Sequence, residues 1–168
     1  MAGAGQGTGI ETLLPNCTID VQCAINAVQH AFHLLCNQTN AGAPNNMVIN
    51  WQDAMGNHFG FHLKHVVTTT CDFTPTGGST ADGTIQGTAT GTFIGRGPGG
   101  EIVAGGKQCI VNAVTTTECG QVDFSFTDQG EGPTSTDHGE FTVTDLTVGT
   151  GILEVCACVR SNYQAHEQ

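Results

Sequence analysis

Apolar residues between Thr18 and about Cys36 recur with helical spacing. Val21, Ile25, Val28, Phe32 and Leu35 fall at i, i+4, i+7, i+11 and i+14, one stripe of a 3.6-residue period. Ile19, Cys23, Ala27, Ala31 and Leu34 make a second apolar group on the far side. Gln22, Asn26, Gln29, His30 and His33 remain as a polar strip between the two. Thr18 or Asn16 can cap the start, and Asp20 sits in the first turn, where the helix dipole favours an anion. The pattern predicts a helix over about 18–36, covered on both apolar faces.

After "NQTNAGAPNN", a loop by composition, the period changes to two. "MVINWQ", "HFGFHLKHVV", "GTIQGTATGTFIG", "EIVAGGKQCIVNAV", "QVDFSFTD", "EFTVTDLTV" and "GILEVCACV" alternate or run apolar over strand lengths. Gly/Pro-rich turns such as "TPTGGSTADG" and "GRGPGG" separate them. The expected fold is therefore mainly β: a jelly-roll-like sandwich or barrel of about seven or eight antiparallel strands with one N-terminal helix. Thr-heavy strands predict a sheet face that is exposed or lines a polar interface. "VVTTTCDF" and "AVTTTECGQVDF" echo one another, but chance similarity between Thr-rich strands explains this equally well.

Residues 1–15 read as a Gly/Ala-rich N-terminal arm, either flexible or laid on a neighbouring subunit. Ile10, Leu13 and Leu14 would be wasted in a solvated tail, which favours the partner-binding role. Residues 16–168 form one β-rich domain, with strands over about 47–160.

Charge narrows the partners. The chain has 168 residues, 4 Lys+Arg against 15 Asp+Glu, and a formal net charge of −11. Its basic residues, Lys64, Arg96, Lys107 and Arg160, are scattered singly. A phosphate backbone or an anionic membrane needs clustered cations, so neither is an expected partner. Only 11% of residues are charged, well below the usual quarter or so, and such a surface suits packing against copies of itself. No apolar run is long enough to cross a bilayer as a helix. "MAGAGQGTGIETLLP" lacks the basic and apolar regions of a signal peptide as written. The sequons at Asn16 and Asn37 matter only in a eukaryotic secretory context.

Eight cysteines stand at Cys17, Cys23, Cys36, Cys71, Cys109, Cys119, Cys156 and Cys158. On one helix Cys23 and Cys36 would lie roughly 20 Å apart, beyond disulfide reach. Cys156 and Cys158 in a strand share a face with Cβ atoms roughly 6–7 Å apart, too far for an unstrained bridge to each other. Zinc sites want paired knuckles at Cys-x(2–4)-Cys spacing, and Cys-Ala-Cys in an extended run is not one. A disulfide framework is the reading adopted, over free buried thiols or a metal site, and it implies an oxidising compartment.

His30, His33, His58 and His62 are the metal-ligand candidates, if the helix packs on the strand carrying the last two. The bland alternative is ordinary polar-face hydrogen bonding. His65 is expected to share a face with Phe59, Phe61 and Leu63. The acidic loop "TDQGEGPTSTDHGE" matches no calcium-loop spacing. No nucleophile elbow, phosphate loop or metalloprotease motif occurs, and the cysteines sit in apolar or Thr-rich runs, a poor setting for an activated thiolate. No catalytic residue and no cofactor is expected.

An arm, a cysteine-bearing Thr/Gly-rich β-domain and a low charge density together resemble self-assembling surface fibre subunits in composition. The expected function is a structural subunit of an extracellular or surface filament, assembled with itself through the arm and stabilised by disulfides. The alternative is a small-molecule or metal-binding β-barrel, possibly an enzyme, built on the histidines. A carbohydrate-binding sandwich is a third reading, although Trp51 and Tyr163 are the sole Trp and Tyr available for stacking.

Overall fold

The computed structural model describes residues 2–9, 25–42, 44–53, 55–77, 80–106, 109–111, 114–116, 120–128, 138–145, 151–158, 160–161 and 164–166. Among them every regular element is a strand. In chain order these are β1 (Ala2–Gly9), β2 (Ile25–Leu35), β3 (Thr39–Ala41), β4 (Asn46–Asp53), β5 (His58–Gly77), β6 (Thr80–Arg96) and β7 (Ile102–Gly105). They continue as β8 (Cys109–Val111), β9 (Val114–Thr116), β10 (Gly120–Asp128), β11 (His138–Asp145), β12 (Gly151–Cys158), β13 (Arg160–Ser161) and β14 (Gln164–His166). Twelve strands make one antiparallel sheet in the order β12-β11-β10-β6-β5-β4-β2-β1-β13, with β14 on β1, β3 on β5 and β7 on β6. The hairpin β8–β9 stands apart as a second sheet.

The period-two segments are strands as expected, with two differences. "TPTGGSTADG" is not a wide loop: β5 and β6 stay paired from Phe73↔Gly83 through Gly77↔Thr80. "EIVAGGKQCIVNAV" is broken by Gly105 and Gly106, whose φ values of 56° and 74° lie in the left-handed region. That break separates β7 from β8.

The largest correction is the helix. Ile25–Leu35, expected within a helix over 18–36, is strand β2, paired with β1 on one side and β4 on the other; positions 18–24 lie outside the described residues. His30, Phe32, Leu34 and Cys36 are buried at alternate positions, and Ala31, His33 and Leu35 between them are only half-buried. A period of two was thus present alongside the 3.6 stripe. A polar histidine at an inward position disguised it, and pairing on both edges decided the outcome over local propensity. Ala2–Gly9, from the expected arm, pairs with β2 of the same chain from Ala2↔Leu35 to Gly9↔Val28. Residues 10–15, with Ile10, Leu13 and Leu14, fall outside the described residues.

One face of the sheet carries the core: Met47, Ile49 and Trp51 on β4, Phe59, Phe61 and Leu63 on β5, Ile85, Ala89 and Phe93 on β6, and Val122, Phe124 and Phe126 on β10. The sheet curls around these side chains. Phe32 of β2 and Phe126 of β10, with three strands between them in the order, stack with ring centroids at 4.2 Å. Trp51, Phe59 and Phe93 form a second stack, at 5.1 Å and 5.9 Å from the Trp51 ring. Two glycines give the rings room. Gly95 pairs with Phe59, and Gly139 with Phe126; a Cβ there would stand 2.6 Å and 2.7 Å from those rings.

Two irregularities in β5 reset which positions face inward. Register shifts between Leu63 and His65 and between Val66 and Thr68 move the inward series from Phe59, Phe61 and Leu63 to Val66, and then to Thr69. Val66 is therefore buried, and His65, expected beside Phe59, Phe61 and Leu63, is half-buried.

Candidate functional site

The exposed large apolar side chains among the described residues, Met55, Ile102 and Val103, stand on β7 and on the turn after β4. In the β4–β5 turn, Asp53 Oδ1 accepts hydrogen bonds from the Met55 and Asn57 backbone N–H groups, each at 2.9 Å. This short loop lifts Met55 into solvent, where it is 76% exposed. The β6–β7 turn closes through Gly97 N–H to Glu101 O at 2.9 Å, and Arg96 Nη1 donates to Gly100 O at 3.1 Å. The two turns abut: a Cβ on Gly56 would lie 3.5 Å from Pro98 Cγ. Beside them Ile102 and Val103 of β7 are each 47% exposed. Among the described residues β7 pairs only with β6, leaving its other edge open. The far end of β7 is held by a buried contact, in which the Gly105 N–H donates to Asp145 Oδ2 at 2.6 Å.

The cysteine framework is visible at one point. Cys36, just past β2, is bonded to Cys71 of β5, with Cα atoms 5.4 Å apart. The buried Thr69 reinforces this junction: its hydroxyl donates to Leu35 O at 2.7 Å and accepts from Gln38 N–H at 3.0 Å. Asn37, in the turn that follows, and Asn40, within β3, take positive φ values of 56° and 50°. Cys156 and Cys158 lie on β12, paired with Glu140 and His138, and Cys109 pairs with Thr116 in the β8–β9 hairpin. Cys17, Cys23 and Cys119 lie outside the described residues.

The four histidines do not converge. His30 is buried between core residues, whereas His33 stands at the opposite parity of β2 and is half-buried. His58 and His62 are exposed on β5, opposite Gln52 and Val48. Among the described residues no three His, Cys, Asp or Glu side chains stand close enough to hold a metal ion. His30 is the chemically unusual member. Its ring lies beside the Phe32–Phe126 pair, with centroids 5.4 Å from Phe126 and 6.0 Å from Phe32, and among the described residues neither Nδ1 nor Nε2 has a hydrogen-bond partner. Burial pushes its pKa from 6.5 down to about 4.

The polar face of the sheet holds a shallow groove of about 450 Å³ across β5, β6 and β10. Thr68, Thr88 and Asp123 form one cross-strand row, and Thr70, Gln86 and Ser125 the next. Thr88 Oγ1 donates to Asp123 Oδ1 at 2.6 Å. Parallel to this row, Thr84 and Thr127 share a hydroxyl hydrogen bond at 3.0 Å. The expectation of a Thr-lined polar face is met here. The particular row of three was not foreseen, because register between strands is not a property of any one segment.

No protein-family model matches the chain, and no curated protein or solved structure is significantly similar to it.

Proposed function

We propose that this chain is a structural subunit that assembles with its own copies into a surface or extracellular filament. The observation that carries the reading is the edge of β7, unpaired among the described residues, with Ile102 and Val103 exposed on the strand. An unpaired edge bearing apolar side chains is a template for adding a strand from another chain. The low charge content supports a copy of the same chain as that partner. The Cys36–Cys71 bond fits an oxidising compartment. The arm keeps a role in this reading: β1 pairs with β2 along its length, and the β1 of a neighbour could make the same pairs by exchange.

Sedimentation velocity and negative-stain imaging of the purified protein test the proposal. Wild type should form oligomers or filaments, and Val103→Lys, which charges the edge, should shift the distribution to monomer with an unchanged circular dichroism spectrum. A wild-type chain that stays monomeric at high concentration would refute the reading.

A further inference from the structure

We propose that the groove across β5, β6 and β10 is a binding site for neutral oligosaccharides. The proposal is independent of the assembly reading, because it uses the polar face of the sheet and no residue of the β7 rim.

Thr68, Thr70, Gln86, Thr88, Asp123 and Ser125 form a grid of two rows by three strands. Antiparallel sheet geometry sets the grid at about 4.8 Å between strands and about 6.8 Å along each strand. Thr68, Thr70, Gln86 and Asp123 are exposed, and Thr88 and Ser125 are half-buried, so the polar groups can be reached. The grid stands on paired strands rather than loops, so its geometry exists before a ligand arrives.

The side-chain chemistry selects the ligand class. Four hydroxyls and one carboxamide both donate and accept, and one carboxylate accepts. Among the described residues no Lys, Arg or His lines the groove, so an anion would meet the Asp123 charge with none of them to balance it. An apolar ligand would desolvate six polar groups without replacing their hydrogen bonds, which is costly. A chain of sugar hydroxyls supplies donors and acceptors at comparable spacing. The Thr88 hydroxyl already occupies one Asp123 oxygen at 2.6 Å and holds the carboxylate in place as an acceptor for a sugar hydroxyl. Phe124 and Phe141 also border the groove but are buried, so stacking adds little and recognition rests on hydrogen bonds. Affinity is accordingly expected near a Kd of about 1 mM.

A two-dimensional amide NMR titration of the full chain tests this, with cellohexaose, xylohexaose and laminarihexaose as probes and a heparin hexasaccharide as the anionic control. At least one neutral probe should shift the amides of residues 68, 70, 86, 88, 123 and 125, and the anionic control should not. Asp123→Asn should weaken that binding about tenfold or more while leaving the rest of the spectrum in place. Gln86→Leu gives a second reading, with the same loss expected. Three results would each overturn the proposal: no shift with any neutral probe, shifts confined to other residues, or stronger binding of the heparin hexasaccharide.

Discussion

The imidazole of His30 stacks on the ring of Phe126 at 5.4 Å, inclined by 29°, and so joins β2 to β10 across the curled sheet. His30 is only 3% exposed. A histidine in such a place is favoured while neutral, because burial penalises its charge and among the described residues no acceptor or anion receives its proton.

Acid should therefore loosen this contact. The unfolded chain protonates His30 below about pH 6.5, and the folded chain only below about 4. Between these values the unfolded state binds more protons, so the His30 contribution to stability is lost as pH falls through that window, by about 3 kcal/mol in all. Urea unfolding across pH 4 to 7.5 measures it. His30→Leu should flatten the slope and be the more stable protein at about pH 5, where wild type bears the penalty. Equal slopes in the two proteins would assign the acid sensitivity to other groups.

The Cys36–Cys71 bond closes a loop with a sequence separation of 35. Loop-closure entropy for that length predicts a loss of about 4 kcal/mol when both cysteines are replaced by alanine. Thermal unfolding of the double variant checks this. A Tm within a degree or two of wild type would mean that Thr69 and the strand pairing hold the junction unaided.

Gly139→Ala would place a methyl 2.7 Å from the Phe126 ring, and Gly95→Ala one 2.6 Å from Phe59. Neither ring has free space to retreat into, since each is stacked on other aromatics. Each substitution should destabilise the fold by about 1–3 kcal/mol. Gly42→Ala, with nothing within 4 Å of the added carbon, is the control and should change little.

Salt should strengthen assembly if the β7 edge carries it. Identical chains of formal charge −11 repel at long range, and at 1 M salt the screening length falls to about 3 Å. Sedimentation at low and high sodium chloride should show larger species at high salt. The opposite trend would point to ion pairs, and away from apolar edges, as the contact.

Strand content was legible because alternation in "MVINWQ" or "QVDFSFTD" needs only local reading. β2 was not legible in the same way, since "AVQHAFHLLC" satisfies both periods and His30 looks misplaced until the aromatic neighbours it packs against are known. The bulge after Leu63 was equally hidden: an extra residue leaves no compositional mark, yet it moved Val66 into the core in place of His65. The histidine and cysteine candidates were chosen by residue type, and type does not say which strands lie side by side. Four of the six groove residues lie in Thr-rich segments and two, Asp123 and Ser125, in "QVDFSFTD"; only the register Thr68–Thr88–Asp123 made them neighbours.

The stack of Phe32 on Phe126 also sets an order of events during folding. β4, β5, β6 and β7 pair as successive hairpins, each closing a short loop, whereas that ring contact joins positions 94 apart (126 − 32). Closing so distant a contact is entropically late, so β4 to β6 should acquire slow amide exchange before β2 and β10 meet. Pulse-labelled hydrogen exchange during refolding would reveal the sequence. Until the rings meet, the growing sheet would carry two bare aromatic faces, each open to a neighbouring molecule.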